Sequence, residues 1–138
     1  MSYLRPYFDK PDRSPFALFH HFKHFGYSFD TIGQRVKAAQ PFLVGISSLF
    51  SAYAREAVQT AQIVKDYHPG CKIIVGGHHA TAMPVRLMES GAVDFVMRGE
   101  GEALMVRLAK AVLNGTGYDD VPGLVYRKPD GGLHVGKT

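Results

Sequence analysis

The chain has 138 residues, of which 46% are hydrophobic, and a net charge of +4, which suits one domain with one core and argues against disorder. Its 16 lysines and arginines are scattered rather than gathered in a stripe, which speaks against a nucleic-acid surface. A single cysteine, Cys71, excludes an internal disulfide framework and any zinc or cluster site built on several thiolates; no stretch approaches the roughly 20 apolar residues of a membrane span.

The N-terminus, "MSYLRPYFDK", lacks the basic-then-apolar order of a signal peptide, so the cytoplasm is the expected compartment. Residues 1–40 read as an aromatic-rich, helical N-terminal segment. In "SPFALFHHFKHFGYSF" phenylalanines recur every three residues, which on an α-helix drifts around the cylinder. "SFDTIGQRVKAA" is a better amphipathic helix, with Ile32 and Val36 inward. No convincing strand precedes it, so the first strand of the sheet is expected to be missing or altered. An uncovered edge with exposed phenylalanines would invite self-association, and a homodimer is one expected partner arrangement.

Residues 41–138 read as an α/β domain. "FLVGISS" is a short apolar run fit for a strand buried on both faces. In "SAYAREAVQTAQIVKDY", Ala54, Ala57, Val58, Ala61 and Val64 form one helix face, with Ser51 as the expected N-cap and "HPG" as the stop. "CKIIVGG" is a second strand that runs out at Gly76 and Gly77 into a loop of small residues. Pro84 opens a short helix, "VDFVMRG" is a third strand, and "EGEALMVRLAKAVLNG" is a helix with Leu104, Leu108 and Val112 inward. "GLVYR" is a fourth strand, and "KPDGGLHVG" is a hairpin turning at Asp130-Gly131. Alternating strands and helices predict parallel pairing with right-handed crossovers: an open, mostly parallel sheet with helices on both faces. Ligands of such sheets bind beyond the carboxyl ends of the strands, where Ser47 to Leu49, Gly76 to Ala80 and Arg98 to Glu102 would lie.

Three chemistries compete for that rim. A metal is suggested by His78-His79, but neighbours on an extended segment point apart, and no carboxylate or thiol is near in sequence. His20, His21 and His24 can share a helix face, equally without an acidic or sulfur partner; solvated or packing histidines are the preferred reading of both sets. A phosphate is suggested by "GEGEAL", but Leu104 stands where the dinucleotide fingerprint needs glycine, and two carboxylates would repel the ligand. Glu100 and Glu102 are equally well explained as helix-start charges. The third chemistry is an empty slot. Gly76 and Gly77 remove two side chains where the strand leaves the sheet, beside the hydroxyls of Ser47 and Ser48. Such a slot suits a long, flat, mostly apolar tail with a few acceptors, although glycines there can also mark close packing.

Ser47-x-Leu49 and Gly76-Gly77 resemble two of the three signature elements of cobalamin-binding domains. The runs "PFLVGISSLFSAYAREAVQTAQIVKDYHP", "IIVGGHHATAMP", "VDFVMRGEGEAL" and "VPGLVYR", in this order, resemble the cobalamin-binding domain that precedes radical S-adenosylmethionine modules. The likeness covers roughly residues 26 to 127. It implies a flavodoxin-like or Rossmann-like cobalamin-binding fold, with cobalamin as cofactor and the radical module of a parent chain as partner. It further implies that Ser47, Ser48 and Leu49 meet the cofactor's nucleotide tail and that Gly76 and Gly77 leave its slot open. His78 and Thr81 would meet the corrin amides, and Arg98, Gly99, Glu100 and Gly101 the corrin rim. The DxHxxG motif of the classical relatives is absent, which implies a tail-off cobalamin with no protein histidine on cobalt and no metal bound directly by the protein. The CxxxCxxC that would hold a 4Fe-4S cluster with S-adenosylmethionine is absent too, so this chain carries no catalytic residues for the radical chemistry, which in such parents includes methyl transfer. The rival expectation is a vestigial fold acting as an interaction or scaffold module.

Overall fold

The computed structural model describes residues 26–137. The aromatic helix expected from Ser14, together with His20, His21 and His24, lies outside the described residues. Its described end, Gly26 to Ser28, is a bend leading into helix α1 (Phe29–Ala39), whose first turn is capped by the Ser28 hydroxyl accepting the Thr31 N–H. The elements then follow as strand β1 (Leu43–Ser47), helix α2 (Ala54–Tyr67), strand β2 (Lys72–Gly76), short helices α3 (His78–Ala82) and α4 (Pro84–Met88), strand β3 (Phe95–Met97), helix α5 (Glu102–Asn114), and strands β4 (Leu124–Arg127) and β5 (Leu133–Val135).

One open sheet in the order β1-β2-β3-β4-β5 carries the fold. The pairs β1·β2 and β2·β3 are parallel, as expected. The fourth strand departs from the uniform parallel pattern: β4 runs antiparallel to β3, with Met97 opposite Leu124. Its direction follows from the segment after α5, which climbs back to the carboxyl rim before β4 descends; there the Arg98 N–H donates to the Gly123 carbonyl at 3.0 Å. The β4–β5 hairpin turns at Asp130-Gly131 as its residues require, with Gly131 at φ +87° and the Gly132 N–H held by the Asp130 carboxyl. Among the described residues β1 pairs only with β2, so it forms an edge.

Strand alternation sorts the core into two layers. Val44, Ile46, Ile73, Val75 and Val96 face the side covered by α2 and α4, where Ala61, Val64, Leu87 and Met88 complete the packing. Leu43, Ile74, Phe95, Met97 and Leu124 face α5 through Leu104, Leu108 and Val112. Helix α1 packs on α2 at Gly33, where an added Cβ would run into the Tyr67 ring. The Tyr67 hydroxyl donates to Asp30, and that bond, ahead of burial, pushes the phenol's pKa up.

Two polar constructions hold the amino-terminal rim of the sheet. The Asp94 carboxyl accepts from Lys65 Nζ at 2.7 Å, from Lys72 Nζ at 3.2 Å and from the Ile73 N–H at 2.8 Å, pinning the start of β3 to the start of β2. Removing this acceptor strands the Ile73 N–H and leaves Lys65 with only the Cys71 carbonyl, so Asp94→Ala should lower stability by about 1–3 kcal/mol, read as an earlier urea midpoint at unchanged slope. On the α5 side, Tyr126 stacks edge-to-face on Tyr118 and donates to Asp119 at 2.6 Å. That bond, followed by burial, pushes the Tyr126 phenol up to about 12. The folded state therefore keeps its proton above the ordinary phenol pKa of about 10, where the unfolded chain loses it. The stabilisation is complete below pH 10 and is lost as pH rises towards 12. Tyr126→Phe should lose that part of the decline in urea titrations across this window.

Candidate functional site

At the carboxyl rim the sheet opens into a groove of about 450 Å³ on its α5 side, within the range of about 300–1,000 Å³ typical of small-molecule sites. Its floor follows from register. Gly45 pairs with Ile74 and Ser47 with Gly76, so these four residues face the same side, and Phe95 and Met97 continue the two rows on β3. Three neighbouring positions, Gly45, Ser47 and Gly76, thus carry almost no side chain, while Met97 and Met105 wall the groove. A Cβ on Gly45 would come within 3.2 Å of Met105 Cε, whereas a Cβ on Gly76 would meet nothing within 4 Å. Gly99, Gly101 and Glu102 form the lip where α5 begins.

The paired glycines do different jobs, contrary to the expectation that both leave the slot open. Gly77 has φ +109°, and a Cβ there would stand 2.7 Å from the Ser48 carbonyl oxygen. Its missing side chain lets two rim loops touch. The Ser48 N–H donates to the Gly76 carbonyl at 2.8 Å, and the His79 N–H donates back to the Ser48 carbonyl at 3.1 Å. Of the two, Gly76 is the one whose missing Cβ faces open space in the groove.

The residues after Gly77 also depart from the extended loop expected of them: His78 to Ala82 form the single turn α3. His78 points to solvent, whereas His79 is buried and its Nδ1 lies 2.8 Å from the Ser51 hydroxyl. Ser51 is therefore engaged by His79 instead of capping α2, which starts three residues later behind a 3-10 turn. No group of three or more potential metal ligands occurs among the described residues.

Of the residues expected at the site, Ser47, Gly76, Gly77, Gly99 and Gly101 line the groove. Ser48 and Leu49 lie on the other side of β1, in a cleft of about 390 Å³ against α2 with Phe50 and Tyr53. There Ser48 Oγ and Glu56 Oε2 are buried without a hydrogen-bond partner among the described residues. Thr81 accepts the Gly99 N–H at 3.0 Å, tying the lip to α3. Arg98 turns towards the hairpin, donating to the Gly136 carbonyl at 3.2 Å, and Glu100 is exposed at the lip. Glu102, expected on the rim, stands at the lip; Gly45, Ile74, Met97 and Met105 join the groove without a sequence expectation, although the two-residue spacing of Gly45 and Ser47 is a usable signal.

Three groups with altered proton affinity stand away from the groove, near the amino-terminal rim: Tyr67, Tyr126, and Cys71, whose thiol burial pushes up. What the groove itself offers is shape and apolar surface. A family model described as "B12 binding domain" matches residues 18–109, which contain every groove residue.

The chain belongs to the B12-binding domain family.

It matches relatives much longer than itself. It is 35% identical over 108 residues, 75% of this chain and 19% of the relative, to the anaerobic magnesium-protoporphyrin IX monomethyl ester cyclase of Rubrivivax gelatinosus. With the cytidylyl-2-hydroxyethylphosphonate methyltransferase of Streptomyces wedmorensis it shares 29% identity over 114 residues, 83% of this chain and 21% of that one. The chain thus spans about a fifth of the length of these curated relatives. Among solved structures, the radical S-adenosylmethionine methyltransferase TsrM from Kitasatospora setae, with cobalamin and a [4Fe-4S] cluster bound, superimposes with a TM-score of 0.68 at 20% identity, covering 80% of this chain and 21% of that one. That likeness bears on the fold alone. No helix among the described residues is long and apolar enough to cross a membrane.

Proposed function

We propose that this B12-binding domain holds cobalamin with its nucleotide tail inserted in the groove between β1–β2 and α5, and that it serves as the cofactor module of a larger radical S-adenosylmethionine enzyme. The observation that carries the reading is Gly76: a Cβ there would enter open space at the centre of a groove already cleared by Gly45 and Ser47. The groove fits a flat heterocycle, with apolar walls on two sides and one hydroxyl, Ser47, on the floor. The basis for reading the cofactor as tail-off, without a protein imidazole on cobalt, is the missing DxHxxG motif.

When bound, cobalamin supplies a cobalt able to carry a methyl group. The protein's part is to hold, orient and shield. Ser47 offers a hydrogen bond to the tail, the His79–Ser51 and Thr81–Gly99 bonds fix the loops that shape the lip, and α5 closes one side. His78, exposed beside the lip, is available to the corrin amides. Methyl transfer is supported as the parent reaction by the relatives named methyltransferases, and ring formation by the relative named a cyclase. The cluster and S-adenosylmethionine belong on this reading to the parent's radical module, since one cysteine cannot hold the cluster. The test is retention. The purified chain is incubated with hydroxocobalamin and passed over a desalting column, and the protein fraction is expected to carry corrinoid absorbance in equimolar amount. A colourless fraction at millimolar cofactor contradicts the reading.

A second reading, an interaction module, is favoured by one observation: β1, an edge among the described residues, lies beside exposed Phe42, Leu49, Phe50 and Tyr53. It carries no lysine, proline or bulge of the kind that blunts a free edge. Self-association through that edge would show as a dimer in sedimentation equilibrium, and a monomer across the concentration range would exclude it.

A further inference from the structure

We infer that the groove discriminates among corrinoids by the base that ends their nucleotide tail, accepting an apolar benzimidazole and disfavouring a purine. This deepens the reading above and rests on it. The lining side chains that reach the groove are apolar at Ile74, Met97 and Met105, with Ser47 on the floor and Glu102 at the lip. Glu102 is exposed, so its carboxyl stands in water where α5 begins.

Two of the lining carbonyls are already engaged. The Gly76 carbonyl already accepts the Ser48 N–H at 2.8 Å, and the Gly101 carbonyl already accepts the Met105 N–H at 2.8 Å. A dimethylbenzimidazole asks for an apolar enclosure and one partner for its ring nitrogen, and two thioethers beside it suit an aromatic ring. Adenine brings an exocyclic amine and further ring nitrogens. Below the lip, they give up water with Ser47 as the one polar side chain to share among them. Stranding a buried polar group of that kind weakens binding by roughly tenfold to a hundredfold.

The experiment is calorimetry on the full chain with three probes: hydroxocobalamin, its adenine-tailed analogue, and cobinamide, which lacks the nucleotide. The expected order is cobalamin tightest, the adenine form roughly tenfold to a hundredfold weaker, and cobinamide weaker than cobalamin. Equal affinities for the two complete corrinoids, with cobinamide weaker, would overturn the base selectivity and leave the tail-in-groove reading standing. Cobinamide as tight as cobalamin, or no binding of any probe, would overturn both. Met105→Gln then places a hydrogen-bonding amide on the wall at nearly constant volume, and should narrow the ratio between the two bases severalfold. An unchanged ratio, with melting temperature preserved, would remove the groove wall as its source.

Discussion

Replacing Gly76 with leucine is expected to abolish cobalamin retention while leaving the folded domain intact. The residue sits in strand β2, paired with Ser47, in a conformation outside the left-handed region that only glycine favours. A Cβ would meet nothing within 4 Å, and the rest of the side chain would extend between Met97 and Met105, into the space assigned to the tail. The fold loses no contact, and a strand position gains a residue better suited to it than glycine, so unfolding free energy should change by no more than about 1 kcal/mol. Binding should fall by at least about 100-fold, equivalent to about 2.8 kcal/mol. Desalting followed by a visible spectrum reads the first effect and urea unfolding the second. A Gly76→Leu protein that binds normally would send the tail elsewhere.

The neighbouring residue should behave in the opposite way. Gly77→Ala is expected to damage the fold itself. At φ +109° an alanine carries backbone strain of about 1–3 kcal/mol, and its Cβ would press against the Ser48 carbonyl oxygen at 2.7 Å. That oxygen cannot easily move, because it accepts the His79 N–H and lies in the loop that His79 also holds through Ser51. The combined destabilisation should reach about 3 kcal/mol and lower the melting temperature by roughly 10 °C in a domain of this size. Circular dichroism melting decides it: an unchanged transition for Gly77→Ala would mean that the two rim loops do not depend on this close approach. The contrast between adjacent glycines, one sensitive in binding and the other in stability, separates a cofactor slot from a packing device.

The strands were legible because each is a short apolar run closed by glycine, proline or a charged turn, and the helices because Ala57, Ala61 and Val64, or Leu104, Leu108 and Val112, recur at helical spacing. The direction of β4 was not legible. Val125 and Tyr126 read the same in a parallel or an antiparallel strand, and only the path of residues 115–123 decides between them. Helix α3 was missed for a related reason: "HHATA" is too short to show a period, and its turn is fixed by tertiary bonds to Ser48 and Ser51.

At the rim, the strand ends are legible in the sequence but the faces that their side chains take are not. Ser47 and Ser48 look equivalent in a row, yet alternation sends the first into the groove and the second to the α2 side, where its hydroxyl is buried. Met97 and Met105 become walls only once Gly45 is set opposite Ile74 in the β1–β2 register and α5 is laid over both. Arg98 looked like a rim residue because it follows β3, but the Gly136 carbonyl draws it towards the hairpin.

The most direct measurement is the methyl spectrum of protein labelled at its methionines, recorded as diamagnetic hydroxocobalamin is added. Four methionines lie among the described residues. Met97 and Met105 wall the groove, Met88 is buried on the opposite side of the sheet, and Met83 is exposed beyond α3. An aromatic base seated in the groove should shift the Met97 and Met105 methyls strongly through its ring current and leave Met88 where it was. Cofactor bound with the Met97 and Met105 signals unmoved would contradict insertion of the tail between β1–β2 and α5.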